Sequence, residues 1–61
     1  MYEKFQLLLN ENGKTAYQVS KDTGVSTATL SNWKKGNYQP KSDKLKTLAD
    51  YFGVTVDYFL K

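Results

Sequence analysis

The segment TAYQVSKDTGVSTATLSNWKKG, residues 15–36, sets two helix-start signatures on either side of a single glycine. Thr15 offers a hydroxyl that can cap a helix, and Gln18, three positions on, can reach back to the N–H of the cap residue. Gly24 supplies the stop, because a residue just past a helix often takes a left-handed conformation that costs glycine nothing. Ser26 is then a natural N-cap for a second helix. Val25 before it is placed to pack on Leu30 in the fourth helical position, which fixes the angle at which the chain approaches. The pattern predicts two short helices locked together through a turn of three or four residues.

The rest of the chain supplies the surfaces against which these helices must pack. In the stretch 2–11, Phe5, Leu8 and Leu9 recur at the i, i+3, i+4 spacing of an amphipathic helix, with Tyr2 one turn earlier and Asn12–Gly13 as the stop. The helix at 16–23 turns Val19 and Ala16 inward and leaves Tyr17 at the margin; it is too short and too weakly apolar to persist alone in water. The helix at 27–35 holds two large apolar residues, Leu30 and Trp33, three apart and so on one face. Gly36 ends it, and residues 37–41 form a loop in which Pro40 biases Gln39 towards an extended backbone. Ser42 is expected to cap a helix at 43–52 with Leu45, Leu48, Ala49 and Phe52 as its stripe and Asp43 in its first turn. Gly53 closes that helix. Val54–Thr55 repeats the logic of Val25–Ser26, with Val54 stapling to Phe59, and starts a helix at 56–60. The expectation is one all-α domain over residues 1–61, a compact five-helix bundle containing a helix-turn-helix.

Composition limits what such a domain does. Sixty-one residues lie near the lower size at which one core supports a fold, and leave little room for a deep active-site cleft. The absence of cysteine removes disulfides and thiolate metal sites, and the absence of histidine removes the commonest general base and metal ligand. Six scattered acids pair with no obvious nucleophile, so neither an enzyme nor a metal or cofactor site is expected. No apolar run reaches the roughly 18 residues of a membrane span, and Met1–Tyr2–Glu3 lacks the start of a signal peptide; the expected location is the cytoplasm. The net charge of +3 is unevenly spread. Lys34, Lys35, Lys41, Lys44 and Lys46 stand against Asp43 alone, so residues 34–46 carry +4 and all others together −1. A localised positive patch points to an anionic partner.

At about 100° per residue, the direction opposite Leu30 and Trp33 is occupied by Ala28, Ser31, Asn32 and Lys35, flanked by Thr27 and Thr29. That face suits the major groove of DNA. Asn32 can pair with adenine N6 and N7, Ser31 and Thr27 can donate or accept, and Ala28 or the Thr27 methyl can meet a thymine methyl. A short surface helix is also polar outside for no other reason than solvation, and residue types alone do not separate the two readings. Context favours the first. Lys34, Lys35, Asn37, Tyr38 and Lys41 follow the helix directly, where a DNA strand would pass, and Thr15 and Gln18 lie at a helix start whose free N–H groups attract anions.

From about Phe5 to Leu60 the chain resembles a helix-turn-helix domain of the Cro/C1 (phage repressor, xenobiotic-response-element) family, lambda-repressor-like in fold. The residues that carry the likeness are Gly13, Thr15–Gln18, Gly24–Val25–Ser26, Thr29–Leu30–Ser31, Trp33, Gly36, Pro40, Leu48–Ala49, Phe52–Gly53–Val54 and Leu60. The resemblance implies a transcriptional regulator, a repressor of phage or prophage type, bound to palindromic double-stranded operator DNA as a homodimer. It places base contacts at Thr27, Ala28, Ser31 and Asn32, and phosphate contacts at Thr15, Gln18, Lys34, Lys35, Asn37, Tyr38 and Lys41. One departure stands out: Ala16 occupies a position where many members carry a phosphate-binding glutamine, so the resemblance assigns that role to no side chain here and offers Gln18 only as a candidate substitute. The chain also has no arginine, so bidentate arginine-to-guanine contacts are excluded. The end at Lys61 leads to the expectation of an oligomerisation region outside this chain. The competing reading is a protein-interaction module, antitoxin-like or anti-repressor, that keeps the fold without binding DNA and uses an apolar patch of Tyr51, Tyr58, Phe59 and Leu60.

Overall fold

The computed structural model describes residues 1–60; Lys61, included in the expected domain, lies outside the described residues. Five helices follow in order: α1 Tyr2–Asn12, α2 Ala16–Thr23, α3 Thr27–Lys35, α4 Ser42–Phe52 and α5 Val56–Leu60. The described residues contain no strand. The bounds of α2, α3 and α5 agree with the expectation, and the other two differ by one residue. Helix α1 continues through Asn12, whose side-chain Nδ2 donates to the Leu8 carbonyl at 2.8 Å and so holds the last turn closed.

The start of α4 corrects the expected cap. Ser42 is the first helical residue and Lys41 the N-cap, without a side-chain cap bond. The carbonyl of Lys41 accepts the first intrahelical bond, from Leu45 N–H at 3.0 Å, which places Ser42 one position too late to cap. Asp43 acts locally instead, accepting from the Lys44 N–H at 2.9 Å. Pro40 just upstream is buried.

The core draws on every helix. Phe5, Leu8 and Leu9 of α1, Val19 of α2, Leu30 and Trp33 of α3, Leu45, Leu48 and Ala49 of α4 and Phe59 of α5 are buried, together with Val25 from the turn. Each stripe follows from helical spacing, since residues three and four apart share a face. Helix α5 packs on both α1 and α4, while α2 packs on α3 and α4. The helix-turn-helix unit is thus seated on a platform of α1, α4 and α5.

Aromatic rings join α3 to that platform. The Trp33 ring centroid lies 5.3 Å from that of Phe5, 5.4 Å from that of Tyr2 and 6.1 Å from that of Phe59. Edge-to-face and tilted pairs of this kind add to the stabilisation from burial itself. Burial also pushes the Tyr2 phenol above its ordinary pKa, and its hydroxyl donates to Gln6 Oε1 at 3.3 Å. Trp33→Ala is expected to cost about 3–5 kcal/mol, a large part of the roughly 3–9 kcal/mol that a chain of this size holds in total. Thermal unfolding followed by circular dichroism checks it; a midpoint lowered by less than about 5 °C, the effect of about 1 kcal/mol, would contradict the anchoring role of Trp33.

Candidate nucleic-acid interface

The local chemistry of residues 15–36 assembles as its capping pattern dictates. Thr15 Oγ1 accepts from the Gln18 N–H at 3.1 Å, and Gln18 Oε1 accepts from the Thr15 N–H at 3.0 Å, a complete reciprocal cap on α2. At the far end Gly24 adopts φ 83°, and its N–H donates to the Ser20 carbonyl at 2.9 Å. Ser26 Oγ caps α3 by accepting from the Thr29 N–H at 3.1 Å. Val25, between the two helices, is buried with Leu30 in the same core cluster, as a stapled turn requires.

Thr23 adds a brace that the sequence pattern did not reveal. Its hydroxyl donates to the Val19 carbonyl at 2.7 Å and accepts from the Val25 N–H at 3.3 Å, tying the last turn of α2 to the residue that enters the core. A second brace comes from outside the unit. The Tyr51 hydroxyl of α4 donates to Asp22 Oδ2 at 2.6 Å, and the Lys14 ammonium lies 5.7 Å from the centroid of the Tyr51 ring. The partners of the hydrogen bond are 29 residues apart, so no local pattern could have announced it.

With Leu30 and Trp33 buried, the opposite side of α3 is open. Thr27, Ala28, Ser31, Asn32 and Lys35 are all exposed, as the helical phase predicts, and Thr29 at their flank is half-buried. Lys34, Asn37, Tyr38 and Lys41 are exposed as well, in the last turn of α3 and the loop that follows. The loop leaves the helix in a fixed direction: Gly36 and Asn37 N–H donate to the Trp33 and Asn32 carbonyls, each at 3.0 Å. Tyr38 lies along a shallow groove that also involves Tyr2, Trp33 and Lys34.

The charge map is narrower than the count over 34–46 implied. Lys46 is held by Asp50 one turn on, with Nζ 3.0 Å from one carboxylate oxygen and 3.2 Å from the other. Among the described residues, Lys34, Lys35, Lys41 and Lys44 form no ion pair. Solvated, uncompensated lysines can neutralise the phosphates of a nucleic acid and release the cations condensed on it.

Tyr17 of α2 and the apolar residues near the C-terminal end of the bundle stand differently from expectation. Tyr17, expected at the margin, is 67% exposed, because it sits about 100° round the helix from Ala16 and further still from Val19. Ala16 itself packs partly against the core and presents no polar atom. In α5, Phe59 is fully buried, Tyr58 is half-buried beneath the Lys4 ammonium, and Tyr51 of α4 is held by Asp22. Leu60 is thus the one freely exposed member, at 58%, of the apolar patch on which a protein-interaction module would rely. Among the described residues there is no grouping of acids, histidines or cysteines able to hold a metal, and no helix long and apolar enough to cross a membrane.

Comparison with known proteins agrees with this geometry. A family model described as helix-turn-helix matches residues 5–59. The HTH-type transcriptional activator BcrR of Enterococcus faecalis is 33% identical over 58 residues, which cover 95% of this chain but 28% of that protein. No solved structure matches. If the Thr15 cap organises α2, Thr15→Ala should destabilise the domain by about 1 kcal/mol while Thr15→Ser stays close to wild type. Urea denaturation measures both, and equal midpoints for wild type and Thr15→Ala would show that the cap contributes nothing.

Proposed function

The chain belongs to the Cro/C1-type helix-turn-helix family, and from that membership we propose that it is a sequence-specific double-stranded DNA-binding domain of a transcriptional regulator, with α3 as its recognition helix. One observation carries the reading: the exposed donor face of α3 is fixed from behind by Leu30 and Trp33 and followed directly by uncompensated lysines. A helix with its side chains is about 10–12 Å across, which the roughly 12 Å major groove admits. The small side chains of Ala28 and Ser31 let the backbone lie deep in that groove.

In this reading Thr27, Ala28, Ser31 and Asn32 meet base edges. Asn32 takes adenine through its amide, and with no arginine in the chain it is the main bidentate reader. Lys34, Lys35, Asn37, Tyr38 and Lys41 neutralise or hydrogen-bond the phosphates of the strand beside α3, setting register before any base is read. At the start of α2 the Thr15 hydroxyl and Gln18 Oε1 are engaged in the cap, so Gln18 Nε2 and the first free N–H groups of the helix are what a phosphate meets. Two copies on a palindromic operator place their α3 helices in successive major grooves, roughly 34 Å apart. A domain seated in this way excludes other proteins from its site, so repression by occupancy, as in a phage-type repressor, is the mode we propose; no step of covalent chemistry is involved.

Mobility shift of a random duplex at low salt tests the reading against a protein-interaction module: a shift is expected, and no shift at high protein concentration would overturn it. Asn32→Ala is expected to cost about 1–3 kcal/mol on the preferred operator and to relax one base position; an equal loss on random DNA would contradict base reading by Asn32. Lys35→Ala should weaken binding to all sequences alike and lower the slope of log affinity against log salt by about one. An unchanged slope would remove Lys35 from the phosphate contacts.

A further inference from the structure

We infer that Asp22 and Tyr51 form a clasp that sets how accurately α3 meets base edges, which makes both of them positioning residues for sequence recognition; this rests on the DNA-binding reading above. The Tyr51 hydroxyl of α4 donates to Asp22 Oδ2 of α2 at 2.6 Å, within the short range of hydroxyl-to-carboxylate bonds. Among the described residues, every other side-chain hydrogen bond and ion pair spans four residues or fewer. The clasp is therefore the one polar side-chain link between two helices in that part of the chain.

Helix α2 needs a directional fix. The core that holds the helices together is apolar, and apolar burial is proportional to area and has no direction. A hydrogen bond prefers both a length and an angle. Helix α2 has eight residues and one fully buried side chain, Val19, so burial fixes its distance from the platform more firmly than its rotation. Asp22 lies in its last turn, and the next residue, Thr23, accepts from the N–H of Val25, which enters the core just ahead of α3. A tilt of α2 at Asp22 thus passes through the turn into α3.

Tyr51 also meets the other end of α2. The Lys14 ammonium, directly before the Thr15 cap, lies 5.7 Å from the centroid of its ring, a contact that draws a cation to an aromatic face. On its own side Tyr51 is seated by Phe52, with ring centroids 5.0 Å apart; Phe52 in turn lies 6.1 Å from Phe5, and Phe5 lies 5.3 Å from Trp33. The clasp on α2 and the anchor of α3 therefore belong to one aromatic chain, and both helices take their position from the same platform. Side chains that read a ligand must be held to within about 0.5 Å. Loosening the clasp costs base contacts, which need that alignment, and spares the sequence-independent attraction to phosphates.

The readout is the ratio of affinities for two probes, the duplex that the wild-type chain enriches from a random pool and a random-sequence duplex. Anisotropy titration of the whole chain gives both, at a temperature where thermal melts show every variant folded. Tyr51→Phe, which keeps the ring and deletes the donor, should lower the ratio about tenfold, the size of one well-aligned base contact, while its salt slope on random duplex matches wild type. Asp22→Ala should do the same, and the double variant should be no worse than either single one. Asp22→Asn keeps a carbonyl acceptor and should hold the ratio within about twofold of wild type. A wild-type ratio in Tyr51→Phe and Asp22→Ala, whatever happens to their melting midpoints, would show that the bond serves stability only and overturn the inference; if Asn32→Ala lowers the ratio in the same experiment, base reading by α3 stands without it. A wild-type chain that binds both probes equally would overturn base reading and the clasp together.

Discussion

The burial of Trp33 against Phe5, Tyr2 and Phe59 is the interaction on which the remaining structure depends. It is the point where the short helix α3 meets α1 and α5 at once. A nine-residue helix has almost no stability of its own in water, so its conformation and its orientation both come from this anchor and from Leu30. Because the two anchors occupy one side of α3, the residues opposite are committed to the outside. The same contacts that complete the core therefore choose which side chains face a partner.

The turn transmits that anchoring to α2. Thr15 and Gln18 close one end of α2, Gly24 and Thr23 the other, and Ser26 opens α3 within three residues. Buried Val25 is the hinge pin between them. The angle between the two helices is then set by hydrogen bonds and one buried methyl-bearing side chain, with Asp22 and Tyr51 steadying α2 on α4. Such a unit can present a surface without large rearrangement on binding, and rigid presentation avoids part of the ordering cost of recognition.

How much of this was legible in the sequence depended on distance along the chain. The bounds of α2 and α3 were readable because caps and staples act within four residues, and the exposed face of α3 followed from phase once Leu30 and Trp33 were taken as anchors. The start of α4 was one residue off because Lys41 and Ser42 both allow a helix to begin, and the choice falls to the backbone bond from Leu45 to Lys41. The pairing of Lys46 was not visible within the 34–46 stretch because Asp50, which holds it, lies just beyond. The bond from Tyr51 to Asp22 had no local signature at all, and the outward position of Tyr17 emerged only once the inward stripe of α2 was fixed by its neighbours. Of the candidate interface, exposure and grouping are structural facts; the contacts assigned to individual bases and phosphates are the functional proposal built on them.

That proposal turns on α3 reading bases, and its most direct test is selection of bound sites from a pool of random duplexes, carried out in parallel with the wild-type chain and Asn32→Ala. The account predicts that the wild type enriches one recurrent motif with two-fold symmetry, and that the variant enriches the same motif with its preference for adenine lost at one position in each half. Enrichment of no motif by a chain that still binds DNA, or identical motifs from both proteins, would contradict it.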